Sequence, residues 1–305
     1  MATSAGIFVG VSRSQDIIDW WKLRDYQPSV AIENLSVDAG FNDVGEKLFY
    51  VNDPTLLSKE LFAQKCSVDE VTIVLGCYIS SQNIYLFDVE DERLEGVEEV
   101  TAAHEMLHAA FERLSPSEQD DIEKLLVAAF NDLDNERIKK TVRSYESRDK
   151  SIIPNELHSI MGTEVRDLPG PLKEYYDKYF EDRLKVVDLA ERYADEFEKR
   201  EALIESFDDR LEVLQSDIVR LESGVTLQGE ALGRERQLLS NLESNPEAYN
   251  RAVGSYNSLV NVYNADVNSL KGLVEAFNSI VAERNEIALE ERQLVEAIDT
   301  RIEQL

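Results

Sequence analysis

Ala103-His104-Glu105-Met106-Leu107-His108-Ala109 lies in a stretch free of glycine and proline from Val97 to Leu114. Within it Val100, Ala103, Leu107, Phe111 and Leu114 recur at helical spacing, which predicts a helix with one buried apolar face. His104 and His108 are four residues apart, so their imidazoles project from neighbouring turns at the edge of that face. Glu105 sits about 100° further round. Two metal-ligand side chains and a carboxylate base therefore share one helix. The chain holds only 3 histidines in 305 residues. At that composition a chance His-Glu-x-x-His arises with a probability of roughly half a per cent.

A zinc ion takes neutral imidazole nitrogens at a fixed separation plus a third ligand and keeps one position open for water, which a neighbouring glutamate can deprotonate. The motif resembles that of the zincin metallopeptidases. The resemblance covers this helix closely and residues 47 to 165 loosely. It implies a zincin-like fold, zinc as cofactor, His104 and His108 as metal ligands, Glu105 as catalytic base, and hydrolysis of a peptide or protein substrate.

Further on, Pro154-Asn155-Glu156-Leu157-His158-Ser159-Ile160-Met161-Gly162-Thr163-Glu164 reads as a short helix, with proline in its first turn and a glycine near its end. Its Asn155-Glu156-x-x-Ser159 resembles the signature by which the gluzincin branch of zincins supplies a carboxylate, and that resemblance implies Glu156 as the third zinc ligand. The acidic residue often found four positions beyond that ligand is Ile160 here, a departure from the pattern. His158 and Glu164 stand as rival ligands. On a helix Glu156 and His158 point about 200° apart, so one metal is not expected to take both. With Glu156 on the metal, His158 or Tyr145 is left to stabilise the oxyanion, and both are candidate catalytic residues.

The chain carries 61 acidic and 32 basic residues, a net charge of −29, which makes contact with nucleic acid unfavourable. No run of 18 apolar residues is present, so nothing is expected to span a membrane. Membrane contact is then expected only through a segment absent from this chain.

The sequence divides into an N-terminal lead (1–22), a zincin-like domain (23–170) and a helical hairpin (171–305, arms about 171–243 and 246–305). Gly6-Ile7-Phe8-Val9-Gly10-Val11 reads as part of a disordered lead or as the remnant of a trimmed membrane segment. Trp20, Trp21 and Tyr26 are expected to dock a short helix on the core. Pro28 to Asp38 reads as a second helix ending near Gly40. Lys47-Leu48-Phe49-Tyr50-Val51 is strand-like, and Leu56 to Lys65 reads as a helix. Val71 to Tyr78 and Asn83 to Val89, joined by Ile79-Ser80-Ser81-Gln82, predict an antiparallel hairpin. Pro116 to Leu133 and Glu136 to Ser147 read as helices. Cys66 and Cys77, the only cysteines, are expected to pair, the alternative being two buried thiols.

From Pro171 the pattern changes. Ala190, Phe197, Ile204, Leu211, Ile218, Val225, Leu232 and Leu239 recur every seven residues, with Tyr193, Phe207, Leu214, Leu221 and Leu242 in the second seam. Arg200, Gln228 and Glu235 interrupt that seam. After Ser244-Asn245-Pro246-Glu247, a second helix carries Tyr249, Tyr256, Tyr263, Leu270, Phe277, Ile298 and Leu305 in one seam. Val253, Val260, Val267, Val274, Val281, Ala288, Val295 and Ile302 fill the other. An antiparallel coiled-coil hairpin follows, with Leu305 near residue 185 and Tyr175, Tyr176, Tyr179 and Phe180 at its root. The predicted class is thus α+β and helix-dominated, a small antiparallel sheet with zincin-like helices followed by the hairpin.

Two functions compete. One is a zinc metallopeptidase whose coiled coil positions it or binds a protein partner. The other is a catalytically inactive zincin-fold adaptor or adhesin. The cysteine pair, the Met1-Ala2-Thr3-Ser4 start and the acidic surface point to an extracytoplasmic, secreted or membrane-tethered protein, with the cytoplasm as the alternative.

Overall fold

The computed structural model describes residues 15–66, 73–80 and 82–301. The expectations for Gly6 to Val11, for Val71 and Thr72, and for the seam residues Ile302 and Leu305 lie outside the described residues. The chain divides into two compact units, residues 1–196 with 294–305, and residues 197–293.

The first unit is helical around one small sheet. Helix α1 occupies residues 15–23 and α2 Val30–Asp38, the latter capped by the Ser29 hydroxyl, which accepts from the Ile32 N–H. Lys47 to Val51 is not a strand: α3 is a helix over Asp43–Tyr50. Five apolar or long side chains in a row fit either period. The local decision falls to Asn42, whose side chain accepts from the Val44 and Gly45 N–H groups at 2.9 and 3.1 Å. Asn42 is itself anchored, its backbone N–H donating to Tyr179 O at 3.0 Å.

Strand β1 (Thr55–Leu57) precedes α4 (Lys59–Lys65), so the helix expected from Leu56 begins three residues later. β2 (Gly76–Ile79) and β3 (Asn83–Phe87) form the antiparallel hairpin, with Cys77 opposite Tyr85. β1 adds to β3 in parallel, giving the order β1-β3-β2 and a mixed sheet rather than a purely antiparallel one. Cys66 and Cys77 are disulfide-bonded, with their Cα atoms 5.9 Å apart, and the bond ties the end of α4 to β2.

Helix α5 (Val97–Glu112) starts at Gly96, whose φ of +98° favours glycine. α6 (Pro116–Asp132) opens on a capping box between Ser115 and Glu118. α7 (Glu136–Arg148) is capped by Asn135, and α8 (Ile153–Glu164) has Pro154 in its first turn. α5 and α8 pack through Ala103, Met106, Leu107 and Ala110 against Leu157, Ile160 and Met161, all buried. α9 (Gly170–Tyr176) leads into Tyr179 and Phe180, and the four aromatics expected at the root of the hairpin are buried in this same core.

Helices α10 (Arg183–Asn241) and α11 (Pro246–Ile298) are the two arms. In the second unit three polar pairs join the arms, two of them through the seam residues Arg200 and Gln228. Arg200 meets Glu290 at 3.4 Å, Arg284 grips Asp208 at 2.8 and 3.1 Å, and the Gln228 amide donates to Asp266 at 2.6 Å. As one arm rises from 200 to 228 the other falls from 290 to 266, the signature of antiparallel pairing. Polar pairs of this kind fix register at some cost in stability. The apolar seam also drifts. Val274 is 38 % exposed while Ile280 is buried at 6 %, so the inner face moves one residue from the strict repeat. A straight helix turns about 20° per heptad away from a seven-residue pattern.

In the first unit, the chain beyond Leu294 returns to the sheet. The buried Thr300 hydroxyl donates to Val74 O at 2.9 Å, close to β2.

Candidate metal centre

Helix α5 holds His104 and His108 one turn apart with ring centroids 4.7 Å from each other. α8 crosses them and presents Glu156 from its first turn. His104 Nε2 lies 3.5 Å from Glu156 Oε2, and His108 Nε2 lies 3.8 Å from Oε1. One donor atom from each residue can be chosen so that all three lie within 4.8 Å of one another, and this group could hold a metal ion. Donors about 2.1 Å from a tetrahedral ion stand about 3.4 Å from each other, close to the 3.5 and 3.8 Å between the imidazoles and the carboxylate. Glu156 Oε2 is buried and accepts no hydrogen bond among the described residues. A buried carboxylate oxygen is costly without a partner, and a cation at the centre of the three donors would supply one.

The electrostatics of the four groups are coupled. Burial opposes the charged form of His104, but contact with Glu156 and the charge of Glu105 outweigh it and raise its pKa to about 9. Burial, together with the charge on His104, lowers that of His108 to about 4. Burial would raise Glu156, yet His104 and His108 hold it below the usual carboxylate range. Burial pushes Glu105 up to about 7, with Glu156 adding to the effect and His104 opposing it. A carboxyl poised near neutrality exchanges protons readily at physiological pH.

The group lies in a cleft of about 710 Å³. One wall is β2 with Gly76, Cys77 and Tyr78, and the other carries Tyr145, Arg148 and Asn155. Gly76 is pressed against the base. A Cβ there would fall 2.8 Å from Glu105 Oε1 and 2.5 Å from Thr101 Cγ2, so only glycine lets the strand approach so closely. The Arg148 guanidinium lies 4.9 Å from the Tyr145 ring centroid. Burial, then the charges of Glu156 and Glu105, raise the Tyr145 pKa, so its hydroxyl keeps its proton.

The two rival ligands lie elsewhere. His158 is fully buried on the opposite side of α8, where Nε2 is 2.8 Å from Tyr175 Oη and Phe111 and Tyr176 pack against the ring. Burial lowers its pKa to about 3, and it does not line the cleft, so it reaches neither a metal there nor an oxyanion. The 200° separation along the helix is the physical reason. Glu164 is engaged by Arg137 at 2.7 Å, three turns of helix away from the first.

Two residues that sequence reasoning did not assign a role belong to the site. Ser159, one turn beyond Glu156, places Oγ 3.2 Å from His108 Nδ1, next to the Ile160 that departs from the pattern. Its place in the Asn-Glu-x-x-Ser run was the available signal. Gly76 had none, because its constraint comes from a helix distant in sequence. Comparison of the chain with protein-family models, with curated proteins and with solved structures gives no match.

Proposed function

We propose that the chain is a zinc-dependent metallopeptidase in which His104, His108 and Glu156 hold the ion. The observation that carries this reading is the convergence of those three donors beside the buried carboxylate of Glu105, at the floor of an open cleft. Zinc held there would polarise a scissile carbonyl and acidify a water. Glu105 takes the proton of the attacking water and passes it to the leaving amine. The Tyr145 hydroxyl donates to the developing oxyanion. The outer edge of β2, at the margin of the sheet and along the cleft wall, offers main-chain hydrogen bonds to an extended peptide.

The coiled-coil arm serves in this reading to position the enzyme or to bind a protein partner. The Cys66–Cys77 bond supports an extracytoplasmic location, because structural disulfides persist in oxidising compartments. No helix among the described residues is long and apolar enough to cross a membrane.

The test is metal removal and return. Protein stripped by a chelator should lose hydrolysis of a peptide library and regain it with about one equivalent of zinc. Zinc bound without turnover on any peptide, or no zinc bound at all, would favour the inactive adaptor.

A further inference from the structure

Helix α1 is amphipathic in the inverted sense. Its large apolar side chains face out: Ile17 is 59 % exposed, Ile18 49 %, Trp20 57 % and Trp21 59 %. At 100° per residue the four occupy one arc of about 160°. Trp20 and Trp21 meet edge to face with centroids 5.4 Å apart. The face turned to the protein is the polar one. Asp19 is 1 % exposed and bound at both oxygens by Arg113 at 2.7 and 3.1 Å, with Gln15 donating to it at 3.0 Å. The expectation that Trp20, Trp21 and Tyr26 dock this helix on the core is thus reversed for the tryptophans, while the Tyr26 ring meets Tyr50 at 5.5 Å. An ion pair between the buried Asp19 and the part-exposed Arg113 docks it, and the tryptophans are what it displays.

Surface helices normally bury the apolar stripe, so a helix clamped with that stripe outward is built to meet something apolar. The four side chains offer on the order of 450 Å², well below the roughly 800 Å² per partner of a stable protein interface. Such an area suits insertion into the boundary region of a bilayer, where tryptophan is at home between acyl chain and headgroup. The local acids are paired with bases, and Lys22, which donates to Val51 O, leaves one positive charge over. Asp16 faces Lys47 at 3.6 Å, Asp19 holds Arg113, and Asp25 pairs with Arg24 at 2.7 Å. With a net charge of −29 on the chain, an anionic lipid surface is disfavoured and a zwitterionic one is not.

We propose that the Ile17, Ile18, Trp20 and Trp21 face of α1 is a docking surface for a neutral, zwitterionic lipid bilayer. Arg113, which fixes α1, is the residue that closes the C-terminal end of the histidine-bearing helix α5. Adsorption would thus hold the cleft-bearing unit at the membrane surface. The inference stands on α1 alone and is independent of the peptidase reading.

Both tryptophans of the chain lie in this patch, so tryptophan emission reports on it directly. The full chain should show emission moving to the blue on addition of phosphatidylcholine vesicles, and quenching when the acyl chains are brominated. The double variant Ile17→Ser with Ile18→Ser alters only exposed positions and should weaken vesicle partition about tenfold or more. Emission unchanged by vesicles would overturn the proposal. So would undiminished binding of the double variant, or a blue shift without lipid that grows with protein concentration alongside a sedimenting dimer, which would assign the face to a second copy of the chain.

Discussion

The Ser159 hydroxyl lies 3.2 Å from Nδ1 of His108, while Nε2 of the same ring faces Glu156 at 3.8 Å. One side chain from α8 thus orients the imidazole and another meets its metal-binding nitrogen. Partners on the far nitrogen fix the tautomer and raise ligand basicity. Ser159→Ala should weaken zinc binding by about 10 to 100-fold, read by competition with a chromophoric chelator. An unchanged affinity would remove Ser159 from the site.

The two candidates for third ligand in the first half of α8, Glu156 and His158, separate cleanly. Glu156→Ala should weaken zinc binding by more than the roughly 100-fold reached by outer partners. His158→Ala should leave zinc affinity near wild type and instead cost stability. It strips the Tyr175 hydroxyl of a buried partner 2.8 Å away, worth about 1 to 3 kcal/mol. Thermal unfolding of the two apo variants beside zinc titrations measures both effects, and loss of zinc in His158→Ala would reverse the assignment.

Gly76→Ala tests the contact between strand and base. The added methyl would press on Thr101 Cγ2 at 2.5 Å and on Glu105 Oε1 at 2.8 Å, neither of which is a metal donor. Peptide hydrolysis should fall by an order of magnitude or more while zinc affinity stays within a few-fold. Wild-type activity in this variant would show that β2 does not set the position of Glu105.

Zinc binding should release a proton. In the apo protein His104 keeps its proton up to about pH 9, whereas His108, lowered to about 4, and Glu156, held below the usual range, are already deprotonated near neutrality. A metal must displace the His104 proton, so apparent affinity should rise by about tenfold per pH unit between pH 6 and 8 and level off above about 9. Calorimetry in buffers of different ionisation enthalpy counts the proton directly. An affinity independent of pH over that range would mean that His104 is neutral before the metal arrives.

The helix of His104 and His108, the capped helices that follow, the hairpin of β2 and β3 and the coiled-coil arms were legible in sequence because each rests on spacing within one segment. What escaped depended on segments far apart. Lys47 to Val51 carries no period that distinguishes strand from helix, and the cap at Asn42 is held by Tyr179, more than a hundred residues on. β1 is a three-residue strand defined only by its pairing with β3. Trp20 and Trp21 were assigned to the core by residue type, but apolar character does not by itself dictate burial, and the docking falls to Asp19 and the distant Arg113. Seam positions near Val274 slipped because the helical period is not 3.5. At the site, the His-Glu-x-x-His spacing singles out three residues on one helix. Only the crossing of α5 and α8 separates Glu156 from His158.

Glu105→Gln separates metal binding from proton transfer in the cleft. The substitution keeps the size of the side chain and removes its capacity to take a proton, leaving the three donors untouched. The variant should bind about one zinc per chain with wild-type affinity and lose peptide hydrolysis by about 100-fold or more. Peptide cleavage at the wild-type rate with zinc bound would contradict the assignment of Glu105 as the base and, with it, the chemistry proposed for this cleft.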